Sequence, residues 1–287
     1  MTEPQPPAPA EDAPMKGVRN IIAVGAGKGG VGKSAVAVHL AVGLQRAGAE
    51  VGLLDCDVYG PSIAKMLGIE GLAPQPAEAN RIAPFHAHGM KVMTMANLVP
   101  AGRAMIWRGP MVHGVIRQFL VDVDWGELGY LVADLPPGTG DVPLTLAQTV
   151  GVAGAVIVTT PQAVALEDAL RAAEMYEKLG IRVLGVVENM SYFVCPACGA
   201  EHDVFGRGGA RKAAEAAGLA FLGEIPLDLD FRRNTDAARP EANFGEQQPG
   251  ALATAIAEVV GRTEAAVRLR NETHPPARPL EVKGGPS

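Results

Sequence analysis

Gly27-Lys28-Gly29-Gly30-Val31-Gly32-Lys33-Ser34 decides the fold. The run fits the phosphate-loop pattern G-x4-G-K-[ST], so its ligand class is a nucleoside triphosphate with Mg²⁺. Its flanks suit that reading. Asn20 to Val24 reads as a short buried strand, and Ser34 to Gln45 as a helix with Val36, Leu40 and Leu44 on one face. A strand, a glycine turn and a helix start gather backbone N–H groups and the positive end of a helix at one point. Gly27, Gly29, Gly30, Val31 and Gly32 would offer backbone to the phosphates. Lys33 would reach the β- and γ-phosphates, and the Ser34 hydroxyl would ligate Mg²⁺. The same run contains Gly25-x-Gly27-x-x-Gly30, a dinucleotide fingerprint with Asp55 placed to hold a ribose. That fingerprint does not call for Gly-Lys-Ser next, so the longer pattern is preferred.

Strand-like runs alternate with helical ones outward from the loop. Val51–Asp55, Lys91–Met95, Tyr130–Asp134, Ala155–Thr159, Arg182–Glu188 and Phe221–Ile225 read as strands. Residues 111–121, 164–179, 211–217 and 249–270 read as helices. Apolar strands between helices imply a mostly parallel sheet covered on both faces, with sites beyond the carboxyl ends of the strands. Asp55 and Asp134 stand at two such ends. Asp134, ahead of Leu135-Pro-Pro-Gly-Thr-Gly-Asp141, is placed to hold Mg²⁺, often through water. In Asp55-Cys-Asp57 one carboxylate would brace the Mg²⁺ shell, and Asp57 is favoured to orient the attacking water.

The 287 residues suit one large α/β domain, residues 17–270, between a Pro-rich tail at 1–16 and a Pro- and Gly-rich tail at 271–287, both expected to be disordered. The net charge of −6 argues against wholesale nucleic-acid binding. No apolar run approaches the roughly 20 residues of a spanning helix, and three cysteines make no disulfide framework. The expectation is a cytoplasmic protein without a membrane partner.

Cys195-Pro-Ala-Cys198-Gly199, within an insertion near 191–205, is the second strong signal. Two thiols at this spacing grip one metal or one edge of a cluster, and a closed site needs four ligands. The pair therefore implies a bridge between two chains, or a redox disulfide. Cys56 reads as a small buried residue, and His202 as a packing residue more than a ligand.

Taken together, these motifs resemble the Mrp/ApbC iron–sulfur cluster carrier ATPases of the deviant Walker A group, relatives of MinD, ParA and the nitrogenase iron protein. The resemblance covers about residues 18–262. It runs through Gly27–Ser34, Asp55–Ser62, Trp107-Arg-Gly-Pro-Met111, Asp134–Asp141, Glu188-Asn-Met190, the cysteine pair and Phe221–Leu227. It implies a doubly wound P-loop NTPase fold and a homodimer that hydrolyses MgATP slowly. It also implies a [4Fe–4S] cluster held between subunits by Cys195 and Cys198. That cluster would come from assembly machinery and pass to iron–sulfur apoproteins. On this resemblance Lys28 is the signature lysine that reaches the partner's nucleotide, and Asn189 reads adenine. Ala35 stands where a second hydroxyl is usual, His39 where Asn is, and Gly129 where Asp is frequent. Two other readings are a MinD/ParA-like positioning ATPase on membrane or nucleoid, and a zinc-clamped dimer. The first would want a basic amphipathic terminal helix, which residues 263–270 only mildly suggest.

Overall fold

The chain was analysed as a computed structural model that describes residues 15, 17–58, 60–78, 81–98, 109–138, 140–245 and 250–280. Trp107 and Arg108 lie outside the described residues. In chain order the elements are β1 (Val18–Gly25), α1 (Lys33–Arg46), β2 (Val51–Asp55), α2 (Ile63–Met66), β3 (Gln75–Pro76), β4 (Ile82–Ala83), β5 (Phe85–Ala87) and β6 (Met90–Thr94). They continue with α3 (Gly109–Val121), β7 (Leu128–Asp134), α4 (Asp141–Thr149), β8 (Gly154–Thr159), α5 (Ala163–Lys178), β9 (Val183–Val194) and β10 (Glu201–His202). The last are α6 (Gly209–Ala216), β11 (Phe221–Leu227), α7 (Leu229–Asp236) and α8 (Ala251–Thr273).

Among the described residues the main sheet runs β10-β9-β8-β1-β7-β2-β6-β5, with β11 also paired to β9. All its pairings are parallel except β5–β6 and β9–β10, so the expected doubly wound, mostly parallel architecture holds. Register positions the site. Asp134 lies opposite Val24 on one side and Asp55 on the other. Two carboxylates and the start of the phosphate loop therefore share one edge of the sheet.

Alternation along the strands divides the core. Ile21 and Ala23 point with Leu131 and Ala133 to one face, where α3 and α4 bring Phe119, Leu120 and Leu146, and α5 brings Tyr176. Ile22 and Val24 point with Leu53 and Val132 to the other, under Leu40 and Leu44 of α1 and Ile256 and Val259 of α8. Strands buried on both faces read as unbroken apolar runs, which is why they were legible.

Four departures from the sequence reading have physical causes. β9 does not stop at Glu188 but continues through the polar Glu188-Asn-Met-Ser run, held by β11 along that run and by β10 near its end. Met95 leaves β6 for a 3-10 turn. Helices α4 and α7 were not expected, because Pro143 and a polar composition weaken their periodic signal. Helix α8 runs to Thr273, and the segment after it, expected to be loose from residue 271, packs against the body. There the Leu280 N–H donates to the Ala147 carbonyl at 2.7 Å, and the Ala277 backbone lies against Gly151.

Candidate nucleotide site and cysteine knuckle

The phosphate loop leaves β1 between α1 and α5. Gly25 and Gly27 pass so close to the Tyr176 ring and the Asp168 backbone that a side chain at either would collide. Gly30 faces open space, and α1 then starts at Gly32, whose φ of +80° belongs to the left-handed region that favours glycine. No described side chain caps this helix start, which suits its first N–H groups to an anion.

Lys33 is buried. Its ammonium donates to Asp134 Oδ1 at 2.6 Å and to Ser34 Oγ at 3.3 Å, and lies 3.7 Å from Asp57 Oδ2. Asp55 is fully buried. Its two oxygens accept from the Asp57 N–H at 3.0 Å and the Thr94 hydroxyl at 2.7 Å. Asp57 Oδ1 accepts from the Gly60 N–H at 3.2 Å. Burial raises the affinity of both Asp55 and Asp134 for a proton. The charge of Asp134 adds to the effect at Asp55, while Lys33 opposes it at both. Such a crowded pair of carboxylates wants a cation. The donor set fits Mg²⁺: Asp134 Oδ2 is buried without a hydrogen-bond partner among the described residues, in hard oxygen surroundings beside Ser34.

The other sequence-derived residues fall into place around this centre. Gly29 has Pro137 over it, and Gly138 donates its N–H to the Ala26 carbonyl at 2.9 Å, tying the two loops together. Lys28 is half-buried and makes no ion pair with a described residue. Ala35 offers its carbonyl to His39 Nδ1 at 2.7 Å. Asn189, assigned to adenine by resemblance, is buried and donates Nδ2 to the Val31 carbonyl at 2.8 Å. It therefore braces the phosphate loop. Cys56 is fully buried, and burial with the nearby carboxylates pushes its thiol well above the usual range.

The cysteine pair sits at the tip of the β9–β10 hairpin, in the loop 195–200. Val194 pairs with Glu201, and the Cys195 N–H donates to the Ala200 carbonyl at 2.9 Å. Backbone N–H groups of Ala197 and Cys198 aim at the Cys195 sulfur and lower its proton affinity, which favours thiolate. Cys195 is partly buried and Cys198 is exposed. Among the described residues no third Cys, His, Asp or Glu joins them as a metal-ligating group. His202 lies across from Phe193, with ring centroids 6.4 Å apart. The pair offers two adjacent thiols at the end of the hairpin.

A profile of the NUBPL iron-transfer P-loop NTPases matches residues 17–262. The chain belongs to that family. It is 60% identical over 227 residues to the iron-sulfur cluster carrier protein of Deinococcus radiodurans, covering 79% of this chain and 64% of that one. It is 48% identical over 255 residues to the protein of the same description from Synechocystis, covering 87% and 72%. The match thus spans under two thirds of the Deinococcus protein's length. Among solved structures, the nucleotide-binding protein of Archaeoglobus fulgidus in complex with ADP is 41% identical, with a TM-score of 0.69, and covers 79% of this chain and 89% of that one. The MinD cell division ATPase of Pyrococcus furiosus, at 21% identity and a TM-score of 0.61, covers 86% and 99% and shares the fold.

Within this NUBPL-family chain, sequence reasoning missed Thr94 and the structural use of Glu188. Glu188 is fully buried. Its Oε1 accepts from the Ser191 hydroxyl and the Gly208 N–H, and its Oε2 from the Ala210 N–H, at 2.6–2.8 Å. It thereby fastens the start of α6 to β9. The Gly206-Arg-Gly-Gly209 turn lies too far from Glu188 in sequence for any local pattern to announce this contact.

Proposed function

We propose that this chain is an ATP-dependent iron–sulfur carrier, in which two copies hold a [4Fe–4S] cluster between them and pass it to apoproteins. The observation that carries the reading is the exposed Cys195–Cys198 knuckle, with thiolate-favouring N–H groups and no further ligand group among the described residues. Two thiolates from each copy supply the four that a cubane cluster takes. Relatives described as iron–sulfur cluster carriers support it. Free thiols suit a reducing compartment such as the cytoplasm, and no helix among the described residues is long and apolar enough to cross a membrane.

The nucleotide chemistry follows from the residues. Lys33 exchanges its contact with Asp134 for the β- and γ-phosphates. Ser34 and Asp134 would hold Mg²⁺, which when bound would neutralise phosphate charge. Asp55 would support those ligands, and Asp57 would orient the water that attacks the γ-phosphorus as the bond to ADP breaks. Lys28 faces the nucleotide of the second copy. Loops 55–62 and 134–141 respond to the γ-phosphate, change how the copies meet, and so change the four-thiolate bridge.

Metal analysis of anaerobically prepared protein tests this. The expected content is about four iron and four sulfide per dimer, lost in Cys198→Ala. Zinc without iron would instead identify a clamped dimer. A cluster retained in full by Cys198→Ala would end the bridging idea.

A further inference from the structure

The strand that carries the cysteines is poorly secured by its own hairpin. β10 has only two residues, paired through Glu201–Val194 and His202–Phe193. Such a short partner gives little independent stability. The next residues, Val204 and Phe205, are 55% and 39% exposed and add little burial. Gly206 and Gly208 then follow with φ of +88° and +74°.

Arg207, between those two glycines, supplies what the backbone lacks. Its guanidinium stacks 4.0 Å from the ring centroid of Tyr192 on β9. Nη1 donates to Glu201 Oε2 on β10 at 2.6 Å, and Nε donates to Glu224 Oε2 on β11 at 3.0 Å. Arg211 of α6 occupies the other Glu224 oxygen at 3.3 Å while stacking 4.4 Å from the Phe221 ring centroid. One planar side chain therefore joins three strands. The fork geometry of arginine permits two carboxylates and a ring face at once, which lysine cannot match. The side chain is 36% exposed, and the Glu224 side chain 16%. The Glu224 contact is thus partly shielded from solvent, while the Glu201 side chain is 54% exposed; both lie at the edge of a cavity of about 270 Å³ bounded also by Thr254 and Glu258 of α8.

We propose that Arg207 is the positioning residue of the cysteine knuckle: it clamps the β9–β10 hairpin onto β11 and thereby fixes the direction in which Cys195 and Cys198 face a second copy of the chain. The inference rests on the carrier reading for its purpose, but the clamp itself is a property of the apoprotein. Amide hydrogen exchange of the cluster-free full chain tests it, together with the half-life of the reconstituted cluster under a chelator. In Arg207→Ala, amides of residues 193–203 exchange roughly tenfold faster, while phosphate-loop amides, ATP binding and Tm stay unchanged. The cluster is lost to the chelator faster in the same protein. Arg207→Lys falls between, because it keeps the charge without the fork. Unchanged hairpin exchange in Arg207→Ala would overturn the proposal. So would faster exchange throughout the protein with a lowered Tm, since that marks a general structural role. A loosened hairpin in a protein that takes up no iron, with the wild type also iron-free, would keep the clamp and remove the carrier reading.

Discussion

His39 and Ala35, the two departures inside the first helix, form one device. The imidazole is buried, with Nδ1 donating to the Ala35 carbonyl at 2.7 Å and Nε2 accepting from the Asn243 amide at 2.8 Å. The Phe231 ring lies 4.4 Å away, centroid to centroid. A second proton would confront the amide donor, and burial holds the ring neutral, with its pKa lowered to about 4. The folded value lies below the unfolded one, so the unfolded chain takes up the proton first as pH falls. Stability from His39 is full above about pH 6.5 and declines as the pH falls toward 4. By pH 4.5 the loss is about 2–3 kcal/mol. Urea unfolding at pH 7.5 and 4.5 checks this: His39→Asn should lose that much less on acidification than the wild type. Equal losses would show that another group titrates. His39 could be named from the sequence as a departure, but Asn243 could not. Its partnership spans 204 positions, and no local spacing encodes it.

Helix α7 shows what an element needs beyond periodicity. It has eight residues, and Asp228 caps it by accepting from the N–H groups of Asp230 at 2.7 Å and Phe231 at 3.0 Å. Replacing Asp228 with Ala should cost about 1 kcal/mol, read as a lower urea midpoint with an unchanged slope. The effect reaches His39, since Phe231 is both a ring neighbour and, through its carbonyl, an acceptor for Asn243 at 3.4 Å. So short and polar a helix gives no apolar stripe by which to read it from the sequence. β9 was misjudged for the opposite reason. Its apolar stretch ends where its pairing does not, and β10 and β11 extend it past Glu188. Helix α8, considered as a surface-binding helix, buries Thr263 and Val267 in the body of the protein and leaves Leu269 exposed.

At the scale of the molecule, one strand joins the two chemistries. Asn189 of β9 grips the phosphate loop through Val31, and the same strand ends beside Cys195. Met190 between them adopts a left-handed φ of 55°, a costly conformation for a long side chain. Lys33→Ala should abolish ATP turnover and leave the cluster in place, because the knuckle draws none of its hydrogen bonds from the phosphate loop. Iron and sulfide content alongside a phosphate-release assay checks this. Loss of both functions would mean that the loop and the hairpin fold as one unit.

The amino-acid sequence alone determined the phosphate loop, the strand-end carboxylates, the cysteine pair and the alternation of buried strands with helices. Each is written in consecutive residues at fixed spacing, where backbone geometry acts locally. Tertiary structure alone decided that Asp55 and Asp134 stand side by side, because that depends on β2 and β7 pairing in register across the sheet. It also decided that Thr94 holds Asp55, that Asn189 braces the loop, and that Arg207 spans three strands. These contacts join distant parts of the chain, and they exist only once burial has brought the strands together and left each polar group to find its partner there.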